Sequence, residues 1–180
     1  MQEGDTTVLL NADEVSQELE RISREIVDKG AGSVKDLALI GIHTRGVFLA
    51  RRLAGMIASK TGVPVLTGTI DITLYRDDWT RISYQPLVQS TDIPFSVDNR
   101  RVVLVDDVLF TGRTTRAALD ALMDFGRPSR VELAVLVDRG SRELPIRADY
   151  VGKTIETNRD QAVNVLMDEC DEKDLVVLRG

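Results

Sequence analysis

The sequence predicts an α/β protein in which a mostly parallel central sheet is flanked by helices. Three observations predict this class. Two unbroken apolar runs, at residues 37–42 and 102–105, are typical of strands that are buried on both faces of a parallel sheet. Each run leads through a short turn into a helical pattern, and strand-like and helix-like segments alternate along the chain. Because ligands bind at the carboxyl ends of parallel strands, both turns are expected to open onto one crevice.

Helices and strands are assigned along the chain from the spacing of apolar residues. Apolar residues between positions 15 and 26 recur at helical spacing, which predicts a first helix over residues 12–29. A second helix is predicted from the turn after residue 42 to about Lys60, and a third follows Thr115. Further strands are predicted at residues 63–72, 131–137, near Tyr150, 163–167 and 175–178. No segment has the composition of a linker, so one domain is expected over residues 1–180.

Composition narrows the classes of function. The 180 residues are 43% hydrophobic, enough for one substantial core, and the formal net charge of −6 argues against indiscriminate nucleic-acid binding. One cysteine, Cys170, excludes an internal disulfide, and with one histidine, His43, it argues against a structural zinc site. The sequence has no signal-like segment and no run of about 18 apolar residues. We therefore expect a cytoplasmic protein that does not enter a membrane.

Residues 101–116 carry the most specific motif of the chain. Two adjacent carboxylates, Asp106 and Asp107, follow the apolar run and precede a turn that opens a helix. Ionised carboxylates accept hydrogen bonds from sugar hydroxyls or hold Mg²⁺ through water, and a helix N-terminus favours a phosphate. The residues that would surround this phosphate are Thr111, Gly112, Arg113, Thr114 and Thr115. A phosphorylated sugar matches both halves, whereas the alternative is a capped helix start with a solvated acidic pair.

Two other nucleotide-binding motifs, the Walker loop and the Gly-x-Gly-x-x-Gly fingerprint, are absent from the chain. Residues 102–115 instead resemble the phosphoribosyl pyrophosphate (PRPP) motif of type I phosphoribosyltransferases, in which paired acids precede Thr-Gly-x-Thr. The resemblance implies the type I phosphoribosyltransferase fold with a flexible hood loop, PRPP as substrate and Mg²⁺ as cofactor. It also implies that Asp106 and Asp107 are catalytic, hold the ribose and contact the metal, directly or through water.

Residues 41–46 follow the first apolar strand and match the pyrophosphate loop of the same family. The resemblance implies that Arg45 is a catalytic contact of the leaving group, with Thr44 and Gly46 shaping the PRPP-binding turn. The alternative is an ordinary turn with a solvated arginine.

Residues 71–96 form a long segment without clear periodicity, which inside a compact domain is usually functional or disordered. The resemblance matches this segment to the flexible hood, which would bring Arg76 over the diphosphate as a further catalytic group and exclude water. A solvated surface hairpin is the alternative.

Residues 137–150 are similar to the base-binding segment of uracil phosphoribosyltransferases that double as pyrimidine-operon attenuation regulators, and this resemblance covers essentially the whole chain. It implies that uracil and PRPP give UMP and diphosphate. Uracil would be bound around Val137, Asp138 and Arg139, with Asp138 near the metal or its waters. Phe110 stands where purine enzymes commonly have an acidic residue, and this supports a pyrimidine substrate.

The same subfamily resemblance implies UMP-dependent binding of pyrimidine-operon leader mRNA by a homodimer or higher homo-oligomer. The matching cations are Arg21, Arg24, Lys29, Arg142, Arg147 and Lys153. The chain departs from the subfamily pattern at Ser141, at Glu20 and over residues 153–158, and these departures concentrate on the expected RNA face. The alternative is a uracil phosphoribosyltransferase without specific RNA binding, in which these cations are simply solvated.

Overall fold

The computed structural model describes residues 6–31, 34–75, 90–158 and 160–180. The strands are β1 (Thr6–Leu10), β2 (Leu37–Ile42), β3 (Leu66–Ile70), β4 (Arg101–Leu109), β5 (Arg130–Asp138), β6 (Tyr150–Thr154), β7 (Ala162–Leu166) and β8 (Leu175–Arg179). The α-helices are α1 (Ala12–Lys29), α2 (Arg45–Thr61), α3 (Arg113–Met123) and α4 (Asp168–Asp171). No helix in these four ranges is long and apolar enough to cross a bilayer.

Five strands form a parallel sheet in the order β3-β2-β4-β5-β6. Strand β2 lies beside β4 with Leu37 opposite Arg101 and Gly41 opposite Val105. All five strands run in the same direction, so their carboxyl ends lie at one edge of the sheet. The predicted parallel sheet and its flanking helices are confirmed.

Two apolar cores lie on opposite faces of this sheet. Alternate residues of a strand point to opposite faces, so Leu39 packs with the core that includes α1 and α2, whereas Ile40 packs with the core that includes α3. Helix α1 covers its face with a stripe of buried apolar residues, and its N-terminus is closed by a capping box between Asn11 and Glu14. The helices thus fix the sheet from both sides.

A second sheet, antiparallel and three-stranded, has the order β1-β8-β7. The sequence predicted β7 and β8 as strands but did not separate them from the main sheet, and it did not predict β1. The segment between β7 and β8 docks on α2, where Arg52 forms ion pairs with Glu169 (2.7 Å) and Asp174 (2.6 Å). The second sheet is thereby tied to the helix that begins at the predicted pyrophosphate loop.

Two strand boundaries differ from the prediction. Strand β4 continues beyond Val105 through Asp106 and Asp107 to Leu109, because β5 extends equally far and pairs Leu109 with Asp138. The acidic pair therefore lies within the last part of the strand rather than after it. Strand β3 is shorter than the predicted 63–72.

The predicted hood, residues 71–96, is described only at its two ends. A 3₁₀ turn occupies Thr73–Tyr75, and Asp92 pairs with Thr69 at the edge of β3. Residues 76–89, including the predicted catalytic residue Arg76, lie outside the described residues, so the lid stays a prediction.

The fully buried Leu39 provides a test of this packing. We expect Leu39→Ala to lower the free energy of unfolding by about 2–5 kcal/mol, because it leaves a cavity between β2 and the helices α1 and α2. The exposed Val8 of β1 offers a control, since Val8→Ala should cost only about 0.5 kcal/mol. Urea denaturation of both variants measures the difference, and equal losses would contradict the assignment of the core.

Candidate active site

A cleft of about 340 Å³ opens at the carboxyl ends of β2, β3 and β4. Its lining residues are His43, Thr44, Arg45, Asp71, Ile72, Thr73, Asp106, Asp107, Val108 and Thr114. The two segments predicted to hold the diphosphate and the ribose are therefore brought together, as the parallel sheet requires. The cleft also contains Asp71, which the sequence analysis did not select.

The pyrophosphate loop and the strand that carries the acidic pair are in direct contact at Gly46. A Cβ atom at Gly46 would overlap the carbonyl oxygen of Val105 and would lie 3.2 Å from the Cα atom of Asp106. Only glycine allows this approach. Gly46 is thus required for the spacing between the two loops, as the resemblance implied when it assigned Gly46 to the turn.

Asp106 and Asp107 have different environments although they are adjacent. Asp106 is 7% exposed, and its carboxylate accepts a hydrogen bond from the backbone N–H of Asp107 (2.9 Å). Burial, followed by the negative charge of Asp107, raises the pKa of Asp106 well above its ordinary value. A buried carboxylate beside a second carboxylate favours a bound cation or hydroxyl donors, which is the chemistry expected of a sugar and metal site.

The turn at residues 111–115 leads directly into α3. Gly112 precedes the helix with φ +90°, a conformation that favours glycine, and the hydroxyl of Thr111 accepts from the first helical N–H, that of Arg113 (3.3 Å). The side chain of Thr114 lines the cleft, that of Thr115 is buried, and that of Arg113 pairs with Glu143 (2.7 Å). The helix end therefore offers the remaining backbone N–H groups of its first turn to an anion at the cleft.

Arg45 begins α2 and is held by a residue that the sequence analysis missed. Its Nε and Nη2 atoms donate to the carboxylate of Asp171, which ends α4, at 3.0–3.2 Å. Burial lowers the pKa of Arg45, but the hydrogen bonds and charge of Asp171 raise it, and the net change is upward. The partners are 126 positions apart in the chain, so no local pattern could have paired them.

Asp71 follows β3 and faces the same cleft. One carboxylate oxygen, Oδ1, accepts from the N–H and hydroxyl of Thr73 (2.9 and 2.6 Å), whereas the buried Oδ2 has no hydrogen-bond partner among the described residues. Carboxylate oxygens suit Mg²⁺, but the described residues contain no group of three or more side chains that could hold a metal by themselves. The donors thus fit a Mg²⁺ that keeps several waters or phosphate oxygens as ligands.

The predicted base-binding segment is built around two arginines. The Arg139 guanidinium stacks on the Phe110 ring, 3.9 Å from its centroid, and burial lowers the pKa of Arg139. Arg142 joins the loop to the end of β4, because it donates to the carbonyl oxygen of Phe110 (2.8 Å) and to the carboxylate of Asp138 (2.5 Å). The structure therefore brings Phe110, Asp138 and Arg139 together.

Other groups of the base-binding segment already have partners within the protein. The Val137 side chain is fully buried. The carbonyl oxygen of Asp138 accepts from the N–H of Ile155 (2.9 Å), and the N–H of Arg139 donates to the carbonyl oxygen of Leu109 (3.0 Å). Asp138 is also absent from the lining of the cleft, so its metal role stays a prediction.

Most of the cations predicted to contact RNA bond to the protein itself. Arg21 donates to the carbonyl oxygens of Val151 and Gly152, at 2.7 Å each. The lysines are held similarly, Lys29 by Asp149 (2.7 Å) and Lys153 by the carbonyl oxygen of Leu9 (2.9 Å). Arg142 lies inside the base loop. The exposed members of the set are Arg24, Lys29 and Arg147, of which Lys29 is paired with Asp149 and Arg24 donates to the carbonyl oxygen of Glu20 (3.4 Å).

Residues 5–169 match the family model described as the phosphoribosyl transferase domain, and the chain belongs to this family. The chain is 59% identical over 173 residues to the "Bifunctional protein PyrR" of Desulfosudis oleivorans, covering 96% of this chain and 95% of that protein. It is 57% identical over 170 residues to the protein of the same name from Thermus aquaticus, covering 94% and 93%.

The fold also resembles that of a hypoxanthine phosphoribosyltransferase from Trypanosoma cruzi, with a TM-score of 0.71 over 96% of both chains. The sequence identity is 23%, so this likeness concerns the fold. Fold and family thus agree with the resemblance carried by the PRPP motif.

The buried carboxylate of Asp106 is expected to lower the stability of the fold while it strengthens PRPP binding. At pH 7 we expect Asp106→Asn to raise the melting temperature by about 2–4 °C, because a neutral amide relieves about 1 kcal/mol of burial cost. The same change should weaken PRPP binding at least about tenfold, because it removes a charged acceptor.

The pH dependence follows from the raised folded-state pKa of Asp106. Ionised Asp106 destabilises the fold above that pKa, and this cost disappears as the pH falls toward the unfolded-state value of about 4. The gain of Asp106→Asn over wild type in thermal unfolding should therefore shrink with decreasing pH. Asp36→Asn, at an exposed position before β2, should show no such trend. A gain that is independent of pH would refute the interpretation.

Proposed function

We propose that this protein transfers the phosphoribosyl group of PRPP to uracil, forming UMP and diphosphate, and that it regulates pyrimidine genes through UMP-dependent binding of leader mRNA. One observation carries the transfer reaction. Asp106, Asp107, Arg45 and the N-terminus of α3 meet at one edge of the parallel sheet. Family membership and close similarity to proteins named bifunctional support both activities.

Each part of the cleft matches one part of PRPP. The N-terminus of α3 suits the 5′-phosphate, and the carboxylates of Asp106 and Asp107 suit the ribose hydroxyls. Arg45 supplies positive charge where the diphosphate departs. The bond between C1′ and a diphosphate oxygen breaks, a bond between C1′ and a uracil nitrogen forms, and the proton of that nitrogen passes to the solvent. These residues act by positioning and by electrostatic stabilisation.

Mg²⁺ is the cofactor that the phosphoribosyltransferase family generally uses with PRPP, and it would supply further positive charge to the diphosphate. Asp106 and Asp107 are the residues we propose to hold it, directly or through water. Asp71 adds a buried carboxylate oxygen at the same cleft. The family resemblance places Asp138 near the metal, and we propose that Asp138 contacts it through water.

Uracil would lie against Phe110 and the adjoining residues Val137, Asp138 and Arg139. Phe110 offers an aromatic face and no proton acceptor, which favours a pyrimidine over a purine that needs an acidic partner for a ring nitrogen. The stacked Arg139 and the bonds of Arg142 hold this ring in place.

The transfer reaction is tested by incubating the protein with PRPP, Mg²⁺ and either uracil or hypoxanthine and measuring the nucleotide formed. We expect UMP with uracil and at least about a hundredfold less product with hypoxanthine. The double variant Asp106→Asn with Asp107→Asn should lose turnover while circular dichroism shows an intact fold. Full uracil turnover by the double variant would overturn the assignment.

For the RNA activity, the supporting features are the exposed cations Arg24 and Arg147 on a protein whose net charge is −6. Such a charge favours a local site over general attraction to nucleic acid. The homodimer or higher homo-oligomer implied by the subfamily is part of the same proposal. An enzyme without specific RNA binding is the second candidate, and the internal bonds of Arg21, Lys29 and Lys153 favour it.

Gel-shift titration at fixed salt, with leader RNA and scrambled RNA, separates these candidates. We expect leader RNA to bind more tightly and UMP to strengthen the binding. Arg147→Ala should weaken it about fivefold to tenfold, because a phosphate or base contact is lost. Lys173→Ala, which removes an exposed charge beside α4, is the matched control and should have no effect. If both RNAs bind equally and the binding weakens steeply with salt, the protein is an enzyme without specific RNA binding.

A further inference from the structure

We infer that Asp171 is a positioning residue for Arg45, so that the small antiparallel sheet completes the diphosphate site. This inference rests on the proposed transfer reaction, in which Arg45 contacts the leaving group. It assigns a role to a residue outside every motif in the sequence. Asp171 lies between β7 and β8, far from the PRPP motif in the chain.

The contact between these side chains is a two-pronged ion pair. Arg45 Nη2 lies 3.0 Å from Oδ1 and 3.1 Å from Oδ2 of Asp171, and Arg45 Nε lies 3.2 Å from Oδ2. Such fork geometry fixes the plane of the guanidinium as well as its distance. Nη1 makes no hydrogen bond to any described residue, which leaves its two N–H groups for an anion at the cleft that Arg45 lines.

Asp171 is itself fixed before any ligand binds. Its Oδ2 atom accepts from the backbone N–H of Met167 (2.9 Å) and from Cys170 Sγ (3.1 Å). The Met167 hydrogen bond and then the Arg45 hydrogen bonds lower the pKa of Asp171 to about 2, so the carboxylate is ionised at any working pH. A rigid, charged acceptor of this kind can hold an arginine in one rotamer.

Holding Arg45 in place has a direct consequence for binding. A long side chain ordinarily loses rotamer freedom when it captures an anion, and Asp171 imposes much of that ordering in advance. The negative charge of Asp171 also opposes a nearby diphosphate. Because its oxygens are bonded to Arg45 and to the backbone of Met167, we expect the ordering to outweigh the repulsion.

The same structure provides a matched control. Arg52 lies two turns after Arg45 on α2 and forms a comparable ion pair with Glu169, in the same short helix as Asp171. Glu169→Gln therefore weakens the attachment of α4 to α2 without touching Arg45. A purely structural role for Asp171 would make the two variants behave alike.

The test compares Asp171→Asn, Glu169→Gln and wild type in steady-state kinetics and in calorimetric titration with Mg²⁺-diphosphate. For Asp171→Asn we expect KM for PRPP and Kd for diphosphate to rise about tenfold, with KM for uracil unchanged. Glu169→Gln should keep all three constants within about twofold of wild type. In an Arg45→Ala background, Asp171→Asn should have no further effect.

Unchanged or tighter diphosphate binding by Asp171→Asn, or equal effects of the two variants, would overturn the inference. The calorimetric titration separates this failure from failure of the proposed function, because it needs no base. A wild-type protein that binds diphosphate through Arg45 but leaves uracil unreacted would refute the transfer reaction alone. A wild-type protein that binds no diphosphate would refute both.

Discussion

The contact of Gly46 with the backbone of Val105 and Asp106 is the constraint on which the site depends. Strands β2 and β4 are neighbours in a parallel sheet, so the segments that follow them emerge side by side. With no side chain at Gly46, these segments touch, and Arg45 and the acidic pair line one cleft. A larger residue would separate the charge of Arg45 from the carboxylates of Asp106 and Asp107, which the proposed reaction needs in one cleft.

Two further attachments converge on the same edge of the sheet. On the base side, the carbonyl oxygen of Thr111 accepts from the N–H groups of Glu143 and Leu144 at 3.0 and 3.2 Å. This pairing joins the phosphate turn to the base-binding loop, which Arg142 also ties to Phe110. On the opposite side, the small sheet reaches the cleft through Asp171. The proposed phosphate, base and diphosphate sites are thus held by elements from separate parts of the chain.

The sequence predicted the elements whose structure depends on neighbouring residues in the chain, such as a regular apolar stripe or a glycine-rich turn. Helix α1 was predicted at its observed bounds because its apolar stripe is regular, and β2 because its six residues are all buried. The turn at residues 111–115 was predicted as a phosphate site because glycine, hydroxyls and paired acids occur together at a strand end, and the family resemblance added PRPP. The three-stranded sheet was not recognised, because β1 is short and largely exposed and pairs with β8 at the other end of the chain.

The site residues that the sequence did not predict are those whose partners lie far away in the chain. Asp171 contacts Arg45 across 126 positions of the chain, and Asp71 is an ordinary acid in the sequence that the end of β3 places at the cleft. Similarly, a sequence does not distinguish Arg147, which is exposed, from Arg142, which donates to several carbonyl groups. The predicted RNA face therefore differs most from the structure, because most of its cations bond to the protein itself.

A crystal structure of the protein with UMP and Mg²⁺ would show whether the cleft holds the nucleotide as proposed. We expect the 5′-phosphate within hydrogen-bond distance of the backbone N–H groups at the start of α3. We also expect the ribose hydroxyls on Asp106 and Asp107 and the uracil ring at Phe110. A nucleotide bound elsewhere, or one whose phosphate lies away from the α3 N-terminus, would contradict the proposal.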